Sequence, residues 1–448
     1  MKHVYMAVIQ AGGQGTRMRE LTGDRLPKPM LSINGKPMLE WQIQNIAAYG
    51  IKDFVIITGH LGEKIEEFFQ DGVGLGVNVR YIREREPLGS AGALSFLEPM
   101  FQPEITDVLL VFGDVMFDLD LGRMVHFHEE HRSLATLLVH PNAHPYDSDL
   151  LITDESDRIR GILPKNEKRE GWYDNLVNAG IYVLSRKLFV ELPETKTGKL
   201  DLEKDVIQPL LDSGRVYAYR TPEYVKDAGT PERFRAVCRE QDAGVWQQRN
   251  LKKKQRCVFL DRDGTVNRYL GLLSQEEQFE LEEGAAEAIS LLNAAGYLTI
   301  VVTNQPVVAR GMCGMKDVRR IHRKMQVLLG EQGAWLDDIV FCPHHPDKGY
   351  PEENPLYKIV CNCRKPSTGM IDSMVKKYNI DTKMSYMIGD STTDIQTGRN
   401  AGLKTVLLST GQAGADGKYD VRADMQAKNL LEAVKMILGS VGSRKEAK

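Results

Sequence analysis

No apolar run in this 448-residue sequence approaches the roughly 20 residues needed to span a bilayer. The N-terminal apolar stretch Val4–Ile9 is too short for a signal-peptide core and runs straight into glycine-rich sequence. Together these absences predict a cytoplasmic address and no membrane partner. An excess of charge of one sign is also missing. The 58 Lys+Arg nearly balance the 61 Asp+Glu, a net charge of −3, which argues against nucleic acid as the main partner. Small phosphorylated ligands, held by a few local cations, are not excluded. There is no repeat of fixed period, and in particular no hexapeptide series that would mark a C-terminal β-helix. Cysteine is scarce, six in all, and Cys342, Cys361 and Cys363 crowd into one short stretch. That grouping looks more like a metal site than a disulfide framework.

What is present is ordinary globular material, with 42% hydrophobic and 27% charged residues. The length predicts two or three domains, each able to bury its own core. Short apolar runs alternate with amphipathic segments. Residues 3–9, 54–58 and 107–112 read as strands, with a helix over 38–49 closed by Gly50. Such alternation predicts a mostly parallel sheet covered on both faces. The pattern lapses around 240–256 into a polar, basic stretch and resumes at Cys257. There, 257–260, 298–303, 384–388 and 404–408 read as strands and 285–295 as a helix. The expectation is therefore an α/β chain of two doubly wound domains, with a linker or connecting helix over 239–256. A tail over 439–448, small and charged, reads as disordered.

The first strand is followed by Ala11-Gly12-Gly13-Gln14-Gly15-Thr16-Arg17. Glycines let the backbone fold tightly round an anion so that successive N–H groups face phosphate oxygens, and Arg17 adds a fixed charge. A dinucleotide fingerprint would need a third glycine where Met18 stands. A P-loop would need Ser or Thr after Gly35-Lys36, where Pro37 stands. The continuation Leu26-Pro27-Lys28-Pro29-Met30 and Gly35-Lys36-Pro37-Met38 makes the run resemble the sugar-phosphate nucleotidyltransferases. Further similar segments follow in the family's order. They are Glu86-Pro87-Leu88-Gly89-Ser90-Ala91-Gly92-Ala93, Gly113-Asp114, Asn178-Ala179-Gly180-Ile181-Tyr182, Leu202-Glu203-Lys204-Asp205 and Lys226-Asp227-Ala228-Gly229.

The resemblance covers about the first 235 residues. It implies a Rossmann-like mixed sheet over 1–238 and transfer of a nucleotidyl group to a sugar 1-phosphate. By the same resemblance Asp114 and Asp227 hold Mg²⁺, while Arg17 and Lys28 act on the triphosphate. Gly12, Gly13, Gly15, Thr16, Glu86 and Gly89 line the nucleotide, and Asn178, Glu203 and Lys204 the sugar. The family's Glu-Lys-Pro ahead of the sugar strand is not present. Lys165 is the candidate for its phosphate-binding task. Away from any family, Asp114 and Asp227 read equally as turn or cap residues.

In the second half, Asp261-Arg262-Asp263-Gly264-Thr265 places two carboxylates two apart, directly after an apolar strand. Thr303-Asn304-Gln305 ends the next strand, Arg364-Lys365-Pro366 comes later, and Gly389-Asp390 with Asp394 follows another strand. This four-part pattern resembles the haloacid dehalogenase superfamily of phosphatases. Strand carboxyl ends of a doubly wound sheet line one crevice, which would bring these residues together. The resemblance implies Asp261 as nucleophile and Asp263 as general acid and base. Mg²⁺ would sit at Asp261, Asp263 and Asp390, and Thr303 and Lys365 would bind the phosphoryl oxygens. Asn304, Arg310 and Arg364 are the implied substrate contacts. Asp394 reads either as support for the metal from outside its ligand set or as a cap.

Cys342-Pro343-His344 and Cys361-Asn362-Cys363 present four ligands as two close pairs, a set suited to structural, tetrahedral Zn²⁺. The alternate spacing belongs to His344 rather than to the adjacent His345. This loop, with Ala309-Arg310-Gly311 and Cys363-Arg364-Lys365-Pro366, resembles the D-glycero-D-manno-heptose 1,7-bisphosphate 7-phosphatases and, nearly as well, the histidinol-phosphate phosphatases. The domain implied is 257–438.

The two implied reactions share an intermediate, because removing a 7-phosphate from a heptose 1,7-bisphosphate leaves a heptose 1-phosphate. The first half is also similar to the heptose 1-phosphate guanylyltransferases. The expected function is synthesis of a GDP-heptose from GTP and heptose phosphates. Other nucleoside triphosphates stay open, as does homo-oligomerisation. A mannose 1-phosphate transferase joined to a histidinol-phosphate-like phosphatase is the rival, and a catalytically silent nucleotide sensor in the first half is a third reading.

Overall fold

The structure, a computed structural model, describes residues 3–190, 199–347, 349 and 351–445. The chain forms two compact units, one of residues 1–140, 149–164 and 176–250, the other of 141–148, 165–175 and 251–448.

In the first unit, β1 (Tyr5–Gln10), β2 (Asp53–Thr58), β3 (Asn78–Arg83) and β4 (Asp107–Phe112) lie parallel in the order β3-β2-β1-β4. Runs such as Met6-Ala7-Val8-Ile9 and Val108-Leu109-Leu110-Val111 are fully buried, as expected of strands covered on both faces. The sheet continues beyond β4 with antiparallel Val177–Ser185, so it is the mixed sheet that the resemblance implies and not the mostly parallel one that the alternation alone predicts. Strand order reverses between β1 and β4, and ligands of open α/β sheets bind outside the carboxyl ends of strands at such a point. Beside the sheet, β5 (Val115–Asp118) pairs antiparallel with β6 (Tyr224–Asp227) as a separate ribbon.

In the second unit six parallel strands form one sheet: β7 (Cys257–Leu260), β8 (Leu298–Asn304), β9 (Asp338–Cys342), β10 (Tyr386–Gly389), β11 (Lys404–Leu408) and β12 (Met425–Ala427). Their order is β9-β8-β7-β10-β11-β12, so the reversal falls between β7 and β10. Asp261 follows β7 and Asp390 follows β10, so the topology alone sets these carboxylates on either side of the crevice.

Three boundaries differ from the sequence reading. The polar stretch after 239 is partly helical, in the helices Pro231–Asp242 and Val245–Arg249, and the units divide between Asn250 and Leu251. Residues 141–148 and 165–175 group with the second unit, where the Asp174 carboxylate accepts hydrogen bonds from Arg323 (3.0 Å) and Gln326 (3.1 Å). The expected disordered tail is corrected as well. A helix runs over Leu430–Lys445, anchored by buried Leu430, Ala433, Val434 and Ile437, and the last part of the expected tail, 446–448, lies outside the described residues. Small and charged residues continue a helix readily once its apolar stripe is buried. Among the described residues no helix is long and apolar enough to cross a membrane.

Candidate active sites

A cleft of about 400 Å³ opens at the carboxyl ends of β1 and β4 and is lined by the 10–18 loop, Lys28, Glu84, 87–90, Gly113, Asp114 and Gly229. Gly15 holds φ +61°, the left-handed conformation that glycine adopts without cost, and caps the turn Thr16–Met18. A Cβ on Gly12 would overlap the Glu84 carboxylate and push it aside. Lys28, nearly buried, donates to Asp114 Oδ2 at 2.7 Å.

Asp114 and Asp227 are neighbours because β5 and β6 pair. Asp227 stands opposite Val115, and the Ala228 N–H donates to the Asp114 carbonyl at 2.8 Å. Arg233 holds Asp227 Oδ2 at 2.7 Å, and a Cβ on Gly229 would stand 3.3 Å from Arg17 Nη2, so Arg17 lies on the same side. Arg17, Lys28 and Asp114 line the glycine-rich cleft, Asp227 with Arg233 stands behind Gly229 at its edge and is not itself among the lining residues, and such a charge set suits a triphosphate with its divalent cation.

The remaining expected residues divide. Gly12, Gly13, Gly15, Thr16 and Gly89 line the cleft. Glu86 is exposed and is not among the lining residues, nor is exposed Lys165; Lys204 is exposed too. Asn178 and Glu203, both half-buried, form a separate trio with buried Tyr182. Asn178 Nδ2 donates to Tyr182 Oη at 2.9 Å and to Glu203 Oε1 at 3.1 Å, and the Tyr182 hydroxyl also donates to Glu203. Burial pushes the Glu203 carboxyl up. Glu84, which sequence reasoning missed, lines the cleft just beyond β3. Burial raises its pKa, offset in part by a hydrogen bond from the Leu88 backbone. Its position at a third strand end of the same half-sheet was the available signal.

In the second unit, Asp261, Asp390 and Asp394 offer carboxylate oxygens within 4.8 Å of one another, all buried or nearly so. Lys365 Nζ donates to Asp261 Oδ1 at 2.7 Å and to Asp394 Oδ1 at 2.5 Å. Asn304 places that lysine: its Oδ1 accepts the Lys365 N–H at 2.9 Å and its Nδ2 donates to the Lys365 carbonyl at 3.1 Å. One lysine among three buried carboxylates leaves the cluster short of positive charge. Burial first, then Asp394, pushes Asp261 up to about 6. Burial and the charges of Asp261 and Asp394 push Asp390 up to about 8. A divalent cation with oxygen ligands fits that donor set. The Gln412 N–H donates to Asp390 Oδ2 at 2.6 Å. Gly264 (φ +82°) and Gly411 (φ +59°) flank the same carboxylate so closely that a Cβ on either would overlap it.

One expected metal ligand is corrected. The Asp263 carboxylate is not in the cluster. It accepts instead from Arg262 Nη2 (2.8 and 2.9 Å), Asn267 Nδ2 (3.1 Å) and Gln305 Nε2 (2.9 Å). Asp394 is a cap and also stands in the carboxylate cluster. It accepts from the Ser391 hydroxyl at 2.6 Å as the third residue of a helical capping box, and it pairs with Lys365. Thr303 Oγ1 accepts from Gln305 Nε2 at 2.9 Å, and Arg364 Nη1 donates to the His344 carbonyl at 3.0 Å.

Cys342 ends β9, and Cys342, His344, Cys361 and Cys363 place their donor atoms within 4.8 Å of one another. The sulfurs stand 3.5, 3.2 and 3.2 Å apart, and His344 Nδ1 lies 3.3 Å from Cys363 Sγ. Sulfur ligands of a tetrahedral zinc sit about 3.7 Å apart, so the arrangement fits that ion after a small expansion. His345 is turned elsewhere, its Nδ1 accepting the Asp347 N–H at 3.2 Å.

The nucleotidyl transferase family model matches residues 6–243, and the HAD-hydrolase-like model residues 362–433. This chain belongs to the nucleotidyl transferase family, joined in its second half to a haloacid dehalogenase-like phosphatase of the heptose-bisphosphate kind. It is 34% identical over 235 residues to the mannose-1-phosphate guanylyltransferase of Mycobacterium tuberculosis, covering 52% of this chain and 63% of that one. It is 40% identical over 182 residues to the D-glycero-beta-D-manno-heptose-1,7-bisphosphate 7-phosphatase of Haemophilus ducreyi, covering 40% of this chain and 96% of that one. A solved D,D-heptose 1,7-bisphosphate phosphatase of B. bronchiseptica, complexed with magnesium and phosphate, is 28% identical with a TM-score of 0.37, covering 42% of this chain and 99% of that one.

Proposed function

We propose that this chain makes a GDP-heptose in two steps, removing the 7-phosphate of D-glycero-D-manno-heptose 1,7-bisphosphate and transferring GMP from GTP to the heptose 1-phosphate that remains. The observation carrying this reading is the union, in one chain, of a half 40% identical to a heptose-bisphosphate phosphatase and a half 34% identical to a sugar-1-phosphate guanylyltransferase. The product of the first reaction has the chemical form the second accepts. Both reactions use soluble phosphorylated metabolites, which suits the cytoplasm.

In the second unit, Asp261 attacks the C7 phosphorus, and the P–O bond to the sugar breaks as an aspartyl-phosphate forms. Asp263 gives the leaving alkoxide its proton and then takes one from the water that hydrolyses the intermediate. Lys365 and Thr303 bind the phosphoryl oxygens, the lysine offsetting their charge. Asp261 and Asp390 would hold Mg²⁺, which would supply the charge that lets an anionic nucleophile meet a dianionic phosphate. In the first unit, the N–H groups of the 12–16 loop with Arg17 and Lys28 orient the triphosphate. The sugar phosphate oxygen attacks the α-phosphorus, and the bond to pyrophosphate breaks in line. Asp114 and Asp227 would hold Mg²⁺, which would supply charge neutralisation there.

The cysteine–histidine cluster is assigned structural Zn²⁺, closing the base of the loop that carries Arg364 and Lys365. Cys361→Ser is expected to lower bound zinc from one ion per chain to near zero by elemental analysis. It should also lower Tm by more than about 5 °C, because the energy of a structural site is folding energy. Full zinc occupancy in this variant would remove Cys361 from the ligand set.

Heptose 1,7-bisphosphate, Mg²⁺ and each nucleoside triphosphate in turn should release phosphate with every nucleotide and pyrophosphate with GTP. Phosphate alone, whatever the nucleotide, would overturn the transferase half. The mycobacterial relative favours mannose 1-phosphate as the rival acceptor, and the ratio of kcat/KM for the two sugar phosphates decides between them.

A further inference from the structure

Arg262, the residue between the two aspartates, is turned away from solvent and onto Asp263. Its side chain is fully buried, an expensive place for a guanidinium unless its donors are used. They are: Nη2 meets both oxygens of Asp263 at 2.8 and 2.9 Å, Nε reaches Oδ1 at 3.3 Å, and Nη1 lies 3.3 Å from His322 Nε2. His322 sits on the helix Met315–Gly330, is itself nearly buried, and sets its ring edge-on to Phe341 at 5.2 Å. Burial first, and the adjacent Arg262 second, hold this imidazole neutral. A neutral ring can accept at Nε2 only with its proton on Nδ1, and it then gives the guanidinium an uncharged anchor.

We propose that His322 and Arg262 form a positioning pair for the proton-transferring Asp263: the imidazole fixes the guanidinium, and the guanidinium fixes the carboxylate. This rests on the reading of Asp263 as general acid and base. The geometry explains why a buried cation occurs at this point in the chain. An unheld carboxylate on a two-residue step past the nucleophile has several rotamers, and proton transfer works only from the one aimed at the leaving oxygen. Asn267 and Gln305 contribute one donor each, whereas Arg262 grips both oxygens and is the member locked from behind.

The test uses the full-length protein and two substrates that differ in their need for a general acid. The alkoxide leaving from heptose 1,7-bisphosphate must be protonated, whereas p-nitrophenolate leaves unaided. His322→Leu is expected to lower kcat on the bisphosphate by about 10- to 100-fold with KM within about twofold. Single-turnover release of p-nitrophenolate from p-nitrophenyl phosphate should stay within about threefold of the parent. His322→Gln, which can still accept from Arg262, is expected to stay within about threefold on both substrates. Arg262→Lys keeps the cation, loses the two-oxygen grip and should repeat the leaving-group-dependent loss, so the test stands even if the leucine variant does not fold. Equal losses on both substrates, or a glutamine variant as impaired as the leucine one, overturn the proposal. Asp263→Asn separates the layers. If it shows the leaving-group dependence and His322→Leu and Arg262→Lys do not, the pair alone falls. If Asp263→Asn shows none, the acid–base reading falls and the pair with it.

Discussion

Asp261→Asn is expected to reduce phosphate release from the bisphosphate by at least about 10⁴-fold while leaving nucleotidyl transfer to supplied heptose 1-phosphate intact. The size follows from removing the nucleophile, since an amide cannot form the covalent intermediate and the remaining groups only bind and polarise. The substitution keeps the side-chain shape, and Lys365 keeps its 2.5 Å contact with Asp394, so the buried lysine is not left unpaired. The loss should therefore appear in kcat, with thermal stability and zinc content close to the parent. Phosphate and pyrophosphate assays on the same preparation give the result. Loss of both activities would contradict two independent catalytic units, and retained phosphate release would remove Asp261 from the nucleophile's position.

What the sequence made legible was chemistry written contiguously. The glycine loop at 12–16, the Asp261-x-Asp263 pair and the two cysteine–histidine pairs each occupy a few adjacent residues, and a strand end explains why they sit together. The strands 107–112, 257–260 and 404–408 were readable to the residue because buried parallel strands are continuous apolar runs. What escaped depends on contacts distant along the chain. Glu84 reaches the cleft only because β3 ends beside β2. Arg262 meets His322 across 60 residues. The resemblance puts Asp263 with the metal, and nothing local in the sequence reveals that Arg262, Asn267 and Gln305 claim its oxygens. Asp394 looked like a choice between cap and site. A carboxylate has enough lone pairs to be both, and here Oδ2 caps the helix while Oδ1 meets Lys365.

Asp114→Asn should be the mirror experiment, cutting pyrophosphate release by about 10³-fold with phosphate release unchanged. Catalysis of nucleotidyl transfer is positioning plus neutralisation of charge, so removing one of two convergent carboxylates removes much of what the protein contributes. Asp114 also anchors Lys28 at 2.7 Å, and without the charge the lysine is free to swing from the triphosphate it should meet. Asp227→Asn should lose a comparable amount. The double variant should lose little more than either single, because two ligands that hold one ion act as a unit and their effects do not add. Additive losses would mean that the two carboxylates act separately, with Asp114 serving mainly to place Lys28. Raising Mg²⁺ distinguishes the roles further: a weakened ion site is partly rescued by mass action, whereas a misplaced Lys28 is not. Rescue of Asp227→Asn with none of Asp114→Asn would assign Asp114 to the lysine and leave the ion to Asp227.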